Sequence, residues 1–141
     1  MSVEIQRPAA EVFAFLSDLR NELRWNPGAR HVTKLTSGPV GAGTRFEAEW
    51  AGAPKSVVEL SVYEPPGAWE TRSRSLGMDV TFRGSLEPSG EATQYTAEVV
   101  VEPRGLGRLL APLAVRAMRR QEAENMRRIK DVLERGPSST P

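Results

Sequence analysis

Apolar and polar residues alternate with a period of two through the middle of the chain. In TRFEAEW, the residues Phe46, Ala48 and Trp50 fall on one side and charged residues fall on the other. Segments rich in glycine and proline, such as SGPVGAG, EPPG and EPSGE, separate successive runs of this kind. The pattern predicts strands with one dry and one wet face, joined by connections too short for crossover helices, as in an antiparallel meander. The predicted strands are, in chain order, SVEIQ, ARHVTK, TRFEAEW, VVELSVY, AWETRS, MDVTFRGSLE and YTAEVVV.

Helical spacing follows the first predicted strand. Apolar residues recur at helical intervals from Val12 to Leu16, with a proline at the first turn, which predicts a helix over about residues 8 to 17. A second short helix is expected to hold Leu19 and Leu23. It ends at WNPG, because a proline disfavours helical backbone at the residue before it.

The last quarter of the chain has the pattern of one long helix, from Arg104 to Glu134. At 100° per residue, its second half places an apolar stripe on one side, formed by Met118, Met126, Ile129 and Leu133. Gln121, Glu122 and Asn125 fall on or beside this stripe. Because an unpaired buried polar group costs about 1–3 kcal/mol, we expect these three residues to meet protein partners, water or a ligand.

The first half of the same helix carries more apolar residues than one sheet can cover. They wrap around most of the helix and comprise Leu106, Leu109, Leu110, Leu113, Ala114 and Val115. Pro112 is expected to kink the helix or to mark its first turn. Some of these side chains must therefore line an opening or lie exposed. A sheet that curves away from the helix would leave a cavity between the two, where water or a ligand satisfies the polar residues.

Composition and charge exclude several classes of protein. The 141 residues, 26% of them charged and 39% apolar, are typical of one globular domain, which we expect to span residues 1–135, with residues 136–141 as a disordered tail. The net charge of +1 favours no nucleic-acid partner. The absence of cysteine excludes disulfides and thiolate chemistry. No membrane-spanning run or secretory signal is present, so the expected location is cytoplasmic, without stable membrane insertion.

The polar residues form no recognisable catalytic or metal-binding motif. His31 is the single histidine, and without an acidic partner and a nucleophile at matching positions it predicts neither a triad nor a metal site. We interpret it as an exposed strand residue and expect neither metal nor cofactor. Residues 105–135 hold eight basic and four acidic residues, which indicates a solvated outer helix face, with a weak membrane-surface or acidic-partner role as the alternative.

Four segments together resemble a known superfamily. VFAFLSDLRNELRWNPG, GAGTRF, YEPPGAWETRS and PRGLGRLLAPL, in this order, resemble the START/Bet v 1-like (SRPBCC) superfamily, in particular its polyketide cyclase/dehydrase and lipid-transport branch. The resemblance spans nearly the whole chain. It implies an α+β helix-grip fold, in which a curved seven-stranded antiparallel sheet wraps around a long C-terminal helix, two short helices follow the first strand, and a hydrophobic cavity lies inside. The first strand of this chain is shorter than the pattern, which leaves the pairing of the last strand open.

The candidate ligand-binding residues are those that the alternation directs towards the expected cavity. The aromatic members offer broad apolar walls, and tryptophan adds a polar N–H group. The set comprises Trp25, Phe46, Trp50, Trp69, Phe82, Tyr95, Val99, Leu110, Met118, Glu122 and Asn125. Glu122 is also a weak candidate for a general base, although a solvated or arginine-paired carboxylate is the more economical interpretation.

Three functional hypotheses follow from the sequence and the resemblance. The first is a protein that binds or carries a small hydrophobic or aromatic ligand, such as a lipid, a polyketide or an isoprenoid-like molecule. The second is a metal-independent polyketide cyclase, aromatase or dehydratase that uses the same cavity. The third is an interaction protein whose Leu106–Leu113 segment docks a partner or forms a homodimer.

Overall fold

Seven antiparallel strands form one sheet in the computed structural model. The structure describes residues 1–75, 77–105 and 107–135. Within the last range it does not describe the side chains at positions 107, 110, 111, 114 and 118. The strands are β1 (Ser2–Ile5), β2 (Ala29–Lys34), β3 (Arg45–Trp50), β4 (Ser56–Glu64), β5 (Ala68–Ser75), β6 (Met78–Ser89) and β7 (Ala92–Pro103). Their order across the sheet is β1-β7-β6-β5-β4-β3-β2. Helix α1 (Ala9–Leu16) and a 3₁₀ helix (Leu19–Arg24) follow β1, and helix α2 (Gly107–Arg135) ends the described chain. The predicted α+β helix-grip fold is confirmed, and the predicted tail at 136–141 lies outside the described residues.

The β6–β7 hairpin is the longest pairing in the sheet. Its register runs from Met78 opposite Pro103 to Ser89 opposite Ala92. The strands are connected through Gly90, whose φ of 65° is a conformation that glycine adopts without strain. By contrast, β1 pairs with β7 only from Thr93 to Thr96, so the short first strand covers only the beginning of the last one.

The period-two alternation places the apolar residues of β6 and β7 on the concave side of the sheet. Leu86 faces across to Tyr95 and Phe82 faces across to Val99 in the same register. Leu86 and Tyr95 are buried, whereas Val99 is 40% exposed. The concave face is therefore covered at one end of the hairpin and open towards the other.

The second half of α2 provides the cover. Met126, Ile129 and Leu133 are buried in one core cluster with Ile5 of β1 and Phe13 of α1. The predicted apolar stripe is confirmed at these three helix positions. The fourth stripe residue, Met118, lies outside the described side chains.

Hydrogen bonds with β1 and with the segment after it hold the C-terminal end of α2 in place. The Arg7 guanidinium donates to the carbonyl oxygens of Leu133, at 2.9 Å, and Glu134, at 2.6 Å. Lys130 Nζ donates to the carbonyl oxygen of Glu4 at 2.8 Å. Arg7 thus satisfies carbonyls that have no partner within the helix and places a positive charge at its negative end.

The first half of α2 is exposed at its two described leucines. Leu109 is 75% exposed and Leu113 is 67% exposed. This confirms that the apolar residues of this half exceed what the sheet covers. Leu106, Leu110 and Ala114 lie outside the described residues and side chains. Pro112 lies inside the helix, in its second turn.

Trp69 on β5 lies flat over Gly84 on β6. Its ring stacks on that of Tyr95, with the ring centroids 5.8 Å apart and the ring planes 13° apart. It also makes a T-shaped contact with the Phe13 ring, at a centroid distance of 5.6 Å. A Cβ atom on Gly84 would come within 2.3 Å of Cζ2 of the Trp69 ring. The absence of a side chain at position 84 is therefore what allows Trp69 to reach the sheet surface.

Gly84→Ala is expected to destabilise the protein by about 2–3 kcal/mol, because the new methyl group must displace the Trp69 ring from a packed core. Denaturant unfolding followed by Trp fluorescence measures the loss. Gly41→Ala is the matched control, since nothing lies within 4 Å of a Cβ at that position, and it should change stability by less than about 0.5 kcal/mol. Equal stability of the two variants would contradict this account of Trp69.

Candidate ligand-binding site

The aromatic wall of the concave face continues from the core into its more open part. Trp69 and Tyr95 are buried, and Phe82, whose ring centroid lies 6.3 Å from that of Trp69, is only partly buried. Val99, paired with Phe82, is exposed. Apolar side chains that remain partly exposed on a concave face are available to a ligand.

The remaining predicted aromatic residues lie deeper in the sheet or near its end. Phe46 is fully buried, and Trp25 packs against the core cluster as a partly buried residue. Trp50 is partly buried at the end of β3. Leu110 and Met118 lie outside the described side chains, so their role as ligand-binding residues stays a prediction.

Asn125 is the polar residue of the α2 stripe that remains without a partner. Its side-chain oxygen, Oδ1, is buried and accepts no hydrogen bond from any described residue. Leaving such an acceptor unpaired costs about 1–3 kcal/mol, which a bound water or a donor group on a ligand would offset. Gln121 differs from the expectation: it is exposed, one turn before Asn125 in α2.

Glu122 lies at the edge of the stripe, with 27% of its side chain exposed. Its Oε1 is 4.0 Å from the amino group of Met1, and no arginine pairs with it among the described residues. An ion pair this long and this accessible to water contributes little stability.

A second partly buried carboxylate, which the sequence patterns did not predict, is Glu22 on the 3₁₀ helix. The indole N–H of Trp50 donates a hydrogen bond to Oε2 of Glu22, and the Asn26 side chain bonds to the same carboxylate. Burial raises the pKa of Glu22 to about 7, although both hydrogen bonds favour the charged form. Glu22 therefore exchanges its proton closer to neutral pH than an ordinary glutamate does.

The charges of two carboxylates, Glu22 and Glu122, act on the phenol of Tyr95. Burial raises the pKa of the Tyr95 phenol well above its usual range, and the charges of Glu22 and Glu122 raise it further. Carboxylates on two elements, the 3₁₀ helix and α2, thus both disfavour ionisation of this phenol. Together with Asn125 Oδ1, they make the polar part of the interior rich in hydrogen-bond acceptors.

Glu22 was missed at the sequence level because its surroundings in NELRW look like those of a surface residue. A short 3₁₀ helix repeats every three residues, so the period of an α-helix does not indicate that this side chain turns inward. The available signal was Trp50, since a partly buried indole N–H on the dry face of a strand requires an acceptor.

Polar residues on the convex face pair with one another. Glu70 is buried, and hydrogen bonds from Ser61 and Arg83 lower the pKa of its carboxyl. His31 bonds to the Thr33 hydroxyl at 2.7 Å and is partly exposed, as expected of an exposed strand residue.

In the described part of the chain, no three histidine or acidic residues are grouped as metal ligands, and no helix is long and apolar enough to cross a membrane.

Several solved structures share this fold. Ara h 8.0201 is 15% identical, with a TM-score of 0.69, and 94% of each chain is covered. A protein from Thermus thermophilus is 18% identical, with a TM-score of 0.73 and coverage of 99% of this chain and 97% of that one. Norcoclaurine synthase from Thalictrum flavum, solved with dopamine and hydroxybenzaldehyde, is 13% identical, with a TM-score of 0.70 and coverage of 99% and 87%. At such low identity, the likeness shows the fold alone.

The family comparison agrees with the resemblance seen in the sequence. A family model described as polyketide cyclase / dehydrase and lipid transport matches residues 1–134. No curated protein matches the chain in sequence.

The raised pKa of Glu22 predicts a specific pH dependence of stability. Between the ordinary value of 4.5 and about 7, the folded state holds a proton on Glu22 that the unfolded state has released. Raising the pH through this interval should therefore destabilise the protein relative to Glu22→Gln, by roughly 3 kcal/mol in total, with no further change above it. Urea unfolding of both proteins from about pH 4.5 to 8 measures the difference, and parallel stability curves would contradict the assignment.

Proposed function

The chain belongs to the polyketide cyclase / dehydrase and lipid transport family, and on this basis we propose that it binds a small hydrophobic or aromatic ligand between the concave face of the sheet and α2. The observation that carries this proposal is the buried, unpartnered Oδ1 of Asn125. Asn125 lies beside Met126 and Ile129, which pack in the core, and the sheet face that this core covers continues to the partly buried Phe82 and the exposed Val99. A bound ligand would donate a hydrogen bond to the Asn125 oxygen and would cover the apolar side chains of the wall.

The chemistry of the wall and of its polar atoms defines the kind of ligand. Apolar area contributes about 25 cal/mol per Å² buried, so most of the affinity would come from contact with Trp69, Phe82 and Val99. The described interior polar groups are mainly acceptors, so the polar end of the ligand should carry hydroxyl or amine hydrogens. The small aromatic molecules bound in the norcoclaurine synthase structure support a ligand of this size.

A second candidate function is proton transfer on a polyketide-like substrate, as in a cyclase or dehydratase. The observation that favours it is Glu22, whose pKa of about 7 suits a group that accepts and returns a proton at neutral pH. In a dehydration, Glu22 would take a proton from the carbon next to a carbonyl group, and the hydroxyl on the following carbon would leave as water with a returned proton. The Trp50 N–H would hold the carboxylate in position.

The proposed ligand-binding domain comprises residues 1–135. It would act in the cytoplasm, without a nucleic-acid partner.

A homodimer through Leu106–Leu113 is less well supported than ligand binding, because this helix segment and the residues that follow it are strongly basic.

Val99→Asp is expected to weaken binding of a neutral apolar fluorescent probe, N-phenyl-1-naphthylamine, at least tenfold, because it places a charge on the open part of the concave wall. Val57→Asp is the matched control, since Val57 is 50% exposed but faces the convex side. Probe titration monitored by fluorescence compares the two with the parent protein. Equal binding by all three proteins would refute the proposed location of the ligand.

Measuring turnover of a polyketide analogue distinguishes the proposed enzymatic function from simple ligand binding. If the protein dehydrates or cyclises a β-hydroxy polyketide analogue, Glu22→Gln should lower kcat at least a hundredfold, because glutamine cannot transfer the proton. Glu122→Gln, at the more exposed carboxylate, should retain most of the activity. Product formation followed by mass spectrometry distinguishes the variants, and full activity of Glu22→Gln would remove Glu22 from the chemistry.

A further inference from the structure

The first half of α2 presents leucines and arginines to solvent on one side of the helix. At 100° per residue, four of these side chains lie within a sector of about 60° around the helix axis. They are Leu109, Leu113, Arg116 and Arg120. All four are exposed. Along the axis this stripe, here called the α2 surface stripe, begins with two leucines and continues with two arginines. The sheet buries neither pair, so the stripe has no partner among the described residues of the fold.

The charge around the stripe has one sign. Between Glu102 and Glu122 the chain holds five arginines and no acidic residue, although the net charge of the whole protein is only +1. Arg104 pairs with Asp79 at 2.7 Å, and none of the other four forms an ion pair with a described residue. The positive charge of the segment is therefore available to an anionic partner.

Apolar and cationic surfaces also meet beside the stripe. A shallow, open depression of about 380 Å³ lies on the surface of α2 itself, lined by Pro112, Val115, Arg116, Arg119 and Arg120. Guanidinium groups bind phosphate oxygens through paired, planar hydrogen bonds. The neighbouring proline and valine offer contact to an alkyl chain.

We propose that the α2 surface stripe docks the protein onto an anionic lipid membrane, with the helix inclined and its first turns entering the interface. Leu109 and Leu113 would enter the boundary of the acyl chains, while Arg116 and Arg120, one to two turns further along, would lie at the level of the lipid phosphates. A basic amphipathic helix binds membranes in this way through buried apolar area and attraction to anionic lipids.

The same observations disfavour other occupants of the stripe. A symmetric contact with a second copy would bring like-charged arginine clusters together, which costs energy. A nucleic acid would satisfy the arginines but would leave Leu109 and Leu113 uncovered. A membrane satisfies both kinds of side chain. The proposal does not depend on the identity of an interior ligand or on catalysis.

Sedimentation with vesicles tests the proposal on the intact protein. Vesicles of phosphatidylcholine with about 30% phosphatidylglycerol should bind the protein at low salt, and pure phosphatidylcholine vesicles should bind it much less. Arg116→Gln combined with Arg120→Gln should lower the partition coefficient roughly thirtyfold, since each cation near an anionic surface contributes about a factor of five. Leu109→Ser combined with Leu113→Ser should lower it by at least tenfold.

Matched variants control for general effects of charge and hydrophobicity. Arg30→Gln removes an exposed arginine from β2, and Leu35→Ser removes a leucine that is 51% exposed just after the same strand. Both should bind vesicles within about threefold of the parent. Absence of binding to anionic vesicles, or equal loss in the control variants, would overturn the proposal. A concentration-dependent dimer that the leucine variant abolishes, without vesicle binding, would assign the stripe to self-association instead.

Discussion

The sheet has a single apolar face, and among the described side chains of α2 those that bury it belong to the second half of the helix, which packs there together with α1. Met126, Ile129 and Leu133 fill the covered end, and the Arg7 guanidinium fixes the end of the helix through two backbone carbonyls. Because the helix is held at its C-terminal end, its first half is free to serve another purpose. Where the cover stops, the concave wall becomes accessible, and this transition defines the candidate site.

The interior combines close packing with polar atoms that the protein does not fully satisfy. The Trp69 ring packs so closely on Gly84 that there is no room for even one methyl group at position 84. Asn125 Oδ1 shows the other extreme, a buried acceptor without a described partner. Glu22 lies between them, since Trp50 and Asn26 bond to it while burial still raises its pKa. A protein selected for stability alone would replace such groups, so their presence supports ligand binding or proton transfer.

Helix α2 thus has two distinct environments along its length. Its second half contributes to the core and to the polar interior through Asn125, whereas its first half exposes leucines and arginines. One element can therefore link an apolar interior to an external surface. This arrangement would suit a carrier that collects or delivers an apolar molecule at a lipid interface, and it would explain why Leu109 and Leu113 are apolar without being buried.

Local sequence patterns were enough to predict the seven strands, the two short helices, the long final helix and the faces of β6 and β7, because these follow from periodicity and turn residues. The same patterns predicted that Asn125 would lie on a buried stripe and that the leucines of the first half of α2 would exceed what one sheet covers. The inward turn of Glu22, the exposure of Gln121, and the contact between Trp69 and Gly84 became visible only in the folded chain. Each of them depends on how distant segments meet, and a period along one segment carries no information about which residue of another segment stands opposite it.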